Sequence, residues 1–310
     1  MRVQEVALAS IEKLQETFGV EGRVAFVDRA LGGPLVRIRT GGAEALVALH
    51  GGQVLNWLVR GQALLWLSSV ARIREGRGIR GGIPVCWPWF ADHPDDPGKP
   101  AHGFVRHRAW DVAGTRADHN TASVVLQTST GARGQDRELW PHQAQARITI
   151  AVGDVLSVSL ETLNTGETSF TLTDALHTYF RVSDISQVTV AGLDGLAYAD
   201  KLDGFRKTRQ AGDIRIAGEV DRIYGGDIGR IVLRDDGAGH VVEIEGSGSR
   251  SAVVWNPWTA KTARLGDMGA PDAFRQMVCI ETANAGEDVI GLEPGERHTL
   301  TATYRHAGVS

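Results

Sequence analysis

Apolar and polar positions alternate with a period of two through most of this chain. "ARITIAVGDVLSVSLETLNTG" holds two such runs joined at Gly153-Asp154. A turn dipeptide between alternating runs predicts a β-hairpin. "LVRIRT", "ALVALHGGQVLNWLV", "SVVLQTS", "HVVEIEG", "SAVVWNPW", "FRQMVCIETAN" and "RHTLTATYR" read as further strands between turns. Residues 4 to 17 depart from this pattern toward a helix. There Val6, Leu8, Ile11 and Leu14 recur at helical spacing and predict one short amphipathic helix. Beyond it, only single helical turns near 70 and 265 are expected. Without helices between the strands there is no βαβ alternation. The class is therefore all-β, most simply a large antiparallel β-sandwich. No internal repeat or low-complexity linker divides the chain, so we expect a helical extension over 1–20 and a single domain over 21–310.

Composition sharpens this picture and narrows the function. The 310 residues are 42% hydrophobic, ample for a large core, and 38 glycines punctuate the short β-branched runs. A net charge of −4 provides no polybasic footprint, so nucleic acid and anionic membrane are poor partners. No run approaches the ~20 apolar residues of a membrane span. The first twenty residues lack the apolar core of a signal peptide. The expected setting is soluble and cytoplasmic. Two cysteines, Cys86 and Cys279, exclude a disulfide framework and read as buried reduced thiols.

The stretch "RGGIPVCWPWFADHPDDPGKPAHGFVR", from Arg80 to Arg106, breaks the strand pattern, because its prolines remove backbone donors and fix φ. Gly81-Gly82 would let the backbone come close to a ligand. Arg80 and Arg106 bracket the stretch and could converge on one dianion, since guanidinium forks match phosphate oxygens. Surface salt bridges are the plainer reading of the same pair. Trp87 and Trp89 read as core or rim packing ahead of sugar-stacking platforms. His93 and His107 lie close by without metal-ligand spacing, so no metal is expected.

Two strands carry titratable groups on unusual faces. In "SFTLTDALHTYF", read as one strand, Phe170, Leu172, Leu176 and Phe180 share a face. Thr171, Thr173, Ala175, His177 and Tyr179 share the other, a small and polar surface that suits a cleft; a hydrogen-bonded or solvated histidine explains it equally. In "QMVCIETAN", Glu281 follows Met277 and Cys279 on its face, where a carboxylate is costly unless paired or functional. Partial burial would raise its pKa toward the range of a general base. A strand-end glutamate reaching water or an arginine is the alternative. There is no G-x-x-x-x-G-K-[ST], no G-x-S-x-G and no G-x-G-x-x-G before a helix. Nucleotide hydrolysis, serine hydrolysis and dinucleotide chemistry lose weight accordingly.

Seven stretches, in order, resemble one family: "HGGQVLNWLVRGQALLWLS", "IRGGIPVCWPWF", "PAHGFVRHRAW", "ALHTYFRV", "EVDRIY", "VVWNPW" and "CIETAN". Across about residues 30 to 305 the chain resembles the aldose 1-epimerase (galactose mutarotase-like) superfamily, and within it the D-hexose-6-phosphate mutarotase branch. The resemblance implies a β-sandwich isomerase with His177 as general acid and Glu281 as general base. It implies Arg80 and Arg106 as phosphate-binding arginines and His102 and Asp221 as residues lining the sugar site. Gln53 stands after the glycine pair, where relatives often carry a different residue, and is taken as a substrate contact. The loop "ADHPDDPGK" is longer and more acidic than in some relatives. Anomer interconversion needs two groups that move protons, so no cofactor or metal is implied. The expected partner is a small sugar phosphate, with the chain a monomer or weak homodimer. Other readings are a mutarotase for free aldoses and a non-catalytic sugar-phosphate-binding protein on the same scaffold.

Overall fold

Alternation is translated most directly in the hairpin of Ala144–Val152 and Leu156–Asn164, where Val152 faces Leu156 across the turn. Every second residue of both strands, from Ala144 through Leu160 and beyond, is buried, and those between are partly exposed. The structure, a computed structural model, describes residues 11–28, 31–131 and 135–308. All strand pairs in its four sheets are antiparallel. One eight-stranded sheet runs Val188–Ala191, Ile231–Asp235, His240–Ser247, Arg297–Gly308, Leu156–Asn164, Ala144–Val152, Ala122–Thr130, Asp111–Ala117. The second runs Arg206–Arg209, Ala197–Asp200, Val220–Gly225, Ser251–Asn256, Met277–Asn284, Asp174–Leu176, Val85–Cys86, with Tyr179–Arg181 also paired to Met277–Asn284. Five strands between Val24 and Ala63 form a meander in chain order, and Phe170–Leu172 pairs with Ile290–Leu292.

The buried faces of these layers share one core. Val278, Ile280 and Phe180 from the second sheet join Leu300, Ala302, Tyr304, Ile148 and Val158 from the first, each at 0% exposure. The Phe180 and Tyr304 rings meet edge to face at 5.6 Å. The hydroxyls of Thr178 and Tyr304 share a hydrogen bond of 2.5 Å, which satisfies both inside the apolar layer. Each such buried aliphatic side chain contributes roughly 1.5–3 kcal/mol through removal from water. Met277–Asn284 is buried at all eight positions. Its second face is covered by Trp66, Tyr179, Trp255 and Met268. Hence its near-continuous apolar run, interrupted by Glu281.

Several local expectations are refined. The N-terminal helix is seen over Ile11–Phe18; the rest of the predicted span, with Val6 and Leu8, lies outside the described residues. Leu14 is buried against the core. Gln15 Oε1 accepts the Phe26 amide at 2.8 Å, and the Phe18 carbonyl accepts the Thr115 hydroxyl at 2.6 Å. In place of a turn near 265 there is a seven-residue helix, Trp258–Arg264. A five-residue helix, Gln135–Leu139, carried no signal. The run read as one strand from 170 to 180 is three pieces, Phe170–Leu172, Asp174–Leu176 and Tyr179–Arg181, on two sheets. Cys86 and Cys279 are buried free thiols. Among the described residues no helix is long and apolar enough to cross a membrane.

Candidate active site

His177 and Glu281 are brought together by strand register. Leu176 pairs with Thr282, and Tyr179 pairs with Cys279, so His177 falls opposite Glu281. The ladder opens there. The His177 amide turns aside to the Pro84 carbonyl at 3.0 Å, and the Ile280 amide reaches the Thr178 carbonyl at 3.2 Å. This break in pairing leaves the two side chains facing each other, with His177 Nδ1 3.4 Å from Glu281 Oε1. Both residues are buried, His177 at 7% exposure and Glu281 at 1%. His177 Nδ1 and Glu281 Oε2 nevertheless have no hydrogen-bond partner in the protein, and neither do Nε of Arg80 and Nε of Arg106. Buried polar atoms are normally paired, and four unpaired ones lie on residues that line one cavity, a lining suited to a polar ligand.

That cavity, about 260 Å³, is lined by Arg80, His102, Arg106, His177, Asp221 and Glu281 together with Phe90, Lys201, Phe205, Trp255 and Lys261. Six of the seven residues singled out from the sequence therefore converge. Tyr179 fixes two of them. Its ring stacks on His177 at 4.8 Å and 11°, and its hydroxyl accepts Arg80 Nη1 at 2.8 Å. Arg80 Nη2 also pairs with Asp267 at 3.0 Å. Arg106 Nη2 donates to the Ala101 carbonyl at 2.9 Å. Asp221 is held by Lys261 Nζ at 3.4 Å, and that ammonium also lies 5.8 Å from the Trp255 ring. His102 and Ala91 both adopt left-handed backbone, with φ of 61° each, and the His102 amide donates to the Ala91 carbonyl at 2.6 Å. Such strain in non-glycine residues concentrates at ligand-binding sites. It places the His102 ring 5.5 Å from that of His177.

Electrostatics set the proton inventory. Burial, and after it the charges of Arg80 and Arg106, holds the His177 imidazole well below the ordinary histidine value. Burial, with the Asp221 charge adding to it, pushes the Glu281 carboxyl well above the ordinary glutamate value, and Lys201 offsets part of this. Both shifts favour the uncharged forms, a protonated Glu281 carboxyl beside a neutral imidazole. His177, Cys279 and Glu281 also bring ligand-type atoms within 4.8 Å of one another, a grouping across two strands that no sequence spacing announced. Burial, ahead of any neighbouring charge, pushes the Cys279 thiol well above the ordinary cysteine value.

Other expectations are corrected. Gln53 does not line the cleft. It is fully buried behind the loop, where its Nε2 donates to the carbonyls of Ile79 at 3.1 Å and Gly81 at 2.6 Å, flanking Arg80. Its role is to hold Arg80, at one remove from any ligand. Gly81 and Gly82 admit protein backbone in place of a ligand. A Cβ on Gly81 would stand 2.5 Å from the Trp66 carbonyl, and one on Gly82 would stand 2.1 Å from that of Val54. As the sequence reading favoured, Trp87 and Trp89 pack in the main core; the aromatic walls of the cleft are Phe90, Phe205 and Trp255. His93 and His107 stand outside the lining. Sequence reasoning missed Trp255, although its alternation was available. Val253 pairs with Glu281 and Trp255 with Cys279, so both face the cleft. Lys201 and Phe205 carried no signal, because the latter bends at a φ of 62° without a glycine.

A model of the aldose 1-epimerase family matches residues 34–305. The chain belongs to that family and is an isomerase of the epimerase class. Relatives by sequence carry the name of the glucose-6-phosphate 1-epimerase branch that the seven stretches resemble. The Cenchrus ciliaris protein named "Putative glucose-6-phosphate 1-epimerase" is 35% identical over 266 residues, 81% of this chain and 78% of the relative. The protein of that name from Escherichia coli K12 is 34% identical over 247 residues, 79% of this chain and 81% of the relative. The solved "putative mutarotase (YeaD)" of Salmonella typhimurium superposes with a TM-score of 0.84 at 27% identity, covering 92% of this chain and 94% of its own. A galactose mutarotase-like protein of Clostridium acetobutylicum shares the fold with a TM-score of 0.73 at 15% identity, over 92% and 98% of the two chains.

Proposed function

We propose that this protein interconverts the α and β anomers of a hexose 6-phosphate, with His177 and Glu281 as the acid–base pair and Arg80 and Arg106 holding the phosphate. The observation that carries this is the set of unpaired buried polar atoms on those four residues around one cavity. The names of the relatives support the substrate class. Ring opening removes a proton from the C1 hydroxyl and adds one to the ring oxygen as the bond from C1 to that oxygen breaks and C1 becomes an aldehyde. Rotation about C1–C2 and closure from the other face reverse both transfers, so a pair sharing one proton is regenerated. General acid–base assistance is worth about 10²–10⁴-fold per group. Holding the open aldehyde in place adds an orientation contribution. His102, Asp221 and Trp255 supply polar contacts and an aromatic wall for the sugar.

The phosphate does more than anchor. Burial lowers the His177 imidazole most, and the charges of Arg80 and Arg106 add to that shift. A bound dianion cancels them, raises the imidazole's affinity for a proton, and draws the shared proton from Glu281 to His177. The pair then matches the roles that the resemblance implies, His177 as acid and Glu281 as base. Free hexose lacks this trigger. Anomer exchange on glucose 6-phosphate should therefore exceed that on glucose in kcat as well as in KM, and added inorganic phosphate should raise the rate on free glucose. Arg80→Ala with Arg106→Ala should abolish both effects. Equal turnover of the two sugars, with no response to phosphate, would contradict the proposal.

A further inference from the structure

A second arginine-rich cavity adjoins the cleft. It measures about 600 Å³ and is lined by Val70, Ala71, Arg72, Arg74, Arg77, Gly78, Arg80, Leu265, Gly266 and Asp267. Arg80 and Leu265 line both cavities and so form the partition between them. Arg72, Arg74 and Arg77 are exposed and make no ion pair among the described residues. The acid in the lining, Asp267, is engaged with Arg80 at 3.0 Å. Four guanidinium groups thus crowd one bay of a chain whose net charge is −4. The loop that carries them is tied down before any ligand arrives. The Ile73 amide donates to Leu31 at 2.8 Å, Gly76 to His107 at 3.1 Å and Arg77 to Arg74 at 3.1 Å, while His50 Nε2 meets the Arg77 carbonyl at 2.7 Å. Arginines in excess of the acids beside them, Asp267 in the lining and the exposed Glu75 on the loop, raise the local potential and concentrate small anions.

We infer that this bay is a second anion site, taking a small polyphosphate-bearing ligand on Arg72, Arg74 and Arg77. Guanidinium forks donate to phosphate oxygens in pairs, and three of them on a fixed loop suit more than one phosphate group. Because Asp267 sits in the bay and also holds Arg80, an occupant competes with Asp267 for that guanidinium and so communicates with the cleft. The site stands on its own lining and does not depend on what the cleft turns over.

Calorimetry with inorganic pyrophosphate at physiological salt tests the inference on three proteins: the wild type, the triple variant Arg72→Ala/Arg74→Ala/Arg77→Ala, and Arg106→Ala. The substituted bay arginines are exposed, so folding is not at stake. Beyond any binding in the cleft, pyrophosphate should show a second binding event on the wild type that the triple variant weakens at least about tenfold and Arg106→Ala leaves close to wild type. The triple variant should keep its anomerisation kcat within about twofold. Binding lost in Arg106→Ala but retained in the triple variant would place the anion in the cleft and overturn the inference. So would an absence of pyrophosphate binding by the wild type.

Discussion

Two strands of this molecule are built from similar residues and read very differently. Ala144–Val152 buries one face and leaves the other half open to water. Met277–Asn284 is buried at every position, by the sandwich core on one side and by Trp66, Tyr179, Trp255 and Met268 on the other. The first strand is scaffold, and its alternation says which side is which. The second carries the cleft, and the second layer that covers it makes the carboxylate at Glu281 expensive. An ionisable group in such a place costs the fold stability, and the proposed function gives it a use as a proton carrier.

One substitution made in both strands gives the sharpest contrast. Met277→Lys buries a charge in the aromatic layer with no counter-ion prepared for it, and should cost more than about 3 kcal/mol in urea unfolding. A smaller effect is expected at Asp174, fully buried at the neighbouring strand's edge. Burial, with the Asp288 charge adding, pushes its carboxyl up to about 8 from 3.8. Between those values the folded chain holds a proton that the unfolded chain releases, so stability falls as pH rises through that window. Asp174→Asn removes this dependence. Wild type and variant should be similar near pH 4, and the wild type should fall progressively behind toward pH 8 in thermal unfolding. Parallel curves would contradict the assignment. The smallest effect belongs to Thr149→Lys on the half-open face of Ala144–Val152, which should stay within about 1 kcal/mol of wild type. If Thr149→Lys proved as damaging as Met277→Lys, the contrast between the strands would be lost.

The same contrast explains what the sequence disclosed. The hairpin at Gly153-Asp154 was legible because solvent on one face imposes a period of two. His177 and Glu281 were each legible as odd residues on apolar strands. Their apposition was not, because it depends on the run from Phe170 to Arg181 breaking into three pieces while keeping one register against Met277–Asn284. Gly81-Gly82 was given a ligand-facing role because sequence shows where a glycine admits close approach and not what approaches, and Gln53 was given one from its place after a glycine pair in the resemblance. Here the partners are the backbones of Trp66 and Val54 and the carbonyls on either side of Arg80. Lys201 and Phe205 reach the cleft from a tight turn with no periodic signature.

Saturation-transfer NMR of the glucose 6-phosphate anomers, on wild type, His177→Ala and Glu281→Gln, addresses the facing pair most directly, with the affinity of each protein for the sugar phosphate measured alongside. Each variant should exchange the anomers at least about 100-fold more slowly. Glu281→Gln should keep its affinity within about threefold of wild type, because the arginines do the holding. Exchange at the wild-type rate by Glu281→Gln would contradict the account.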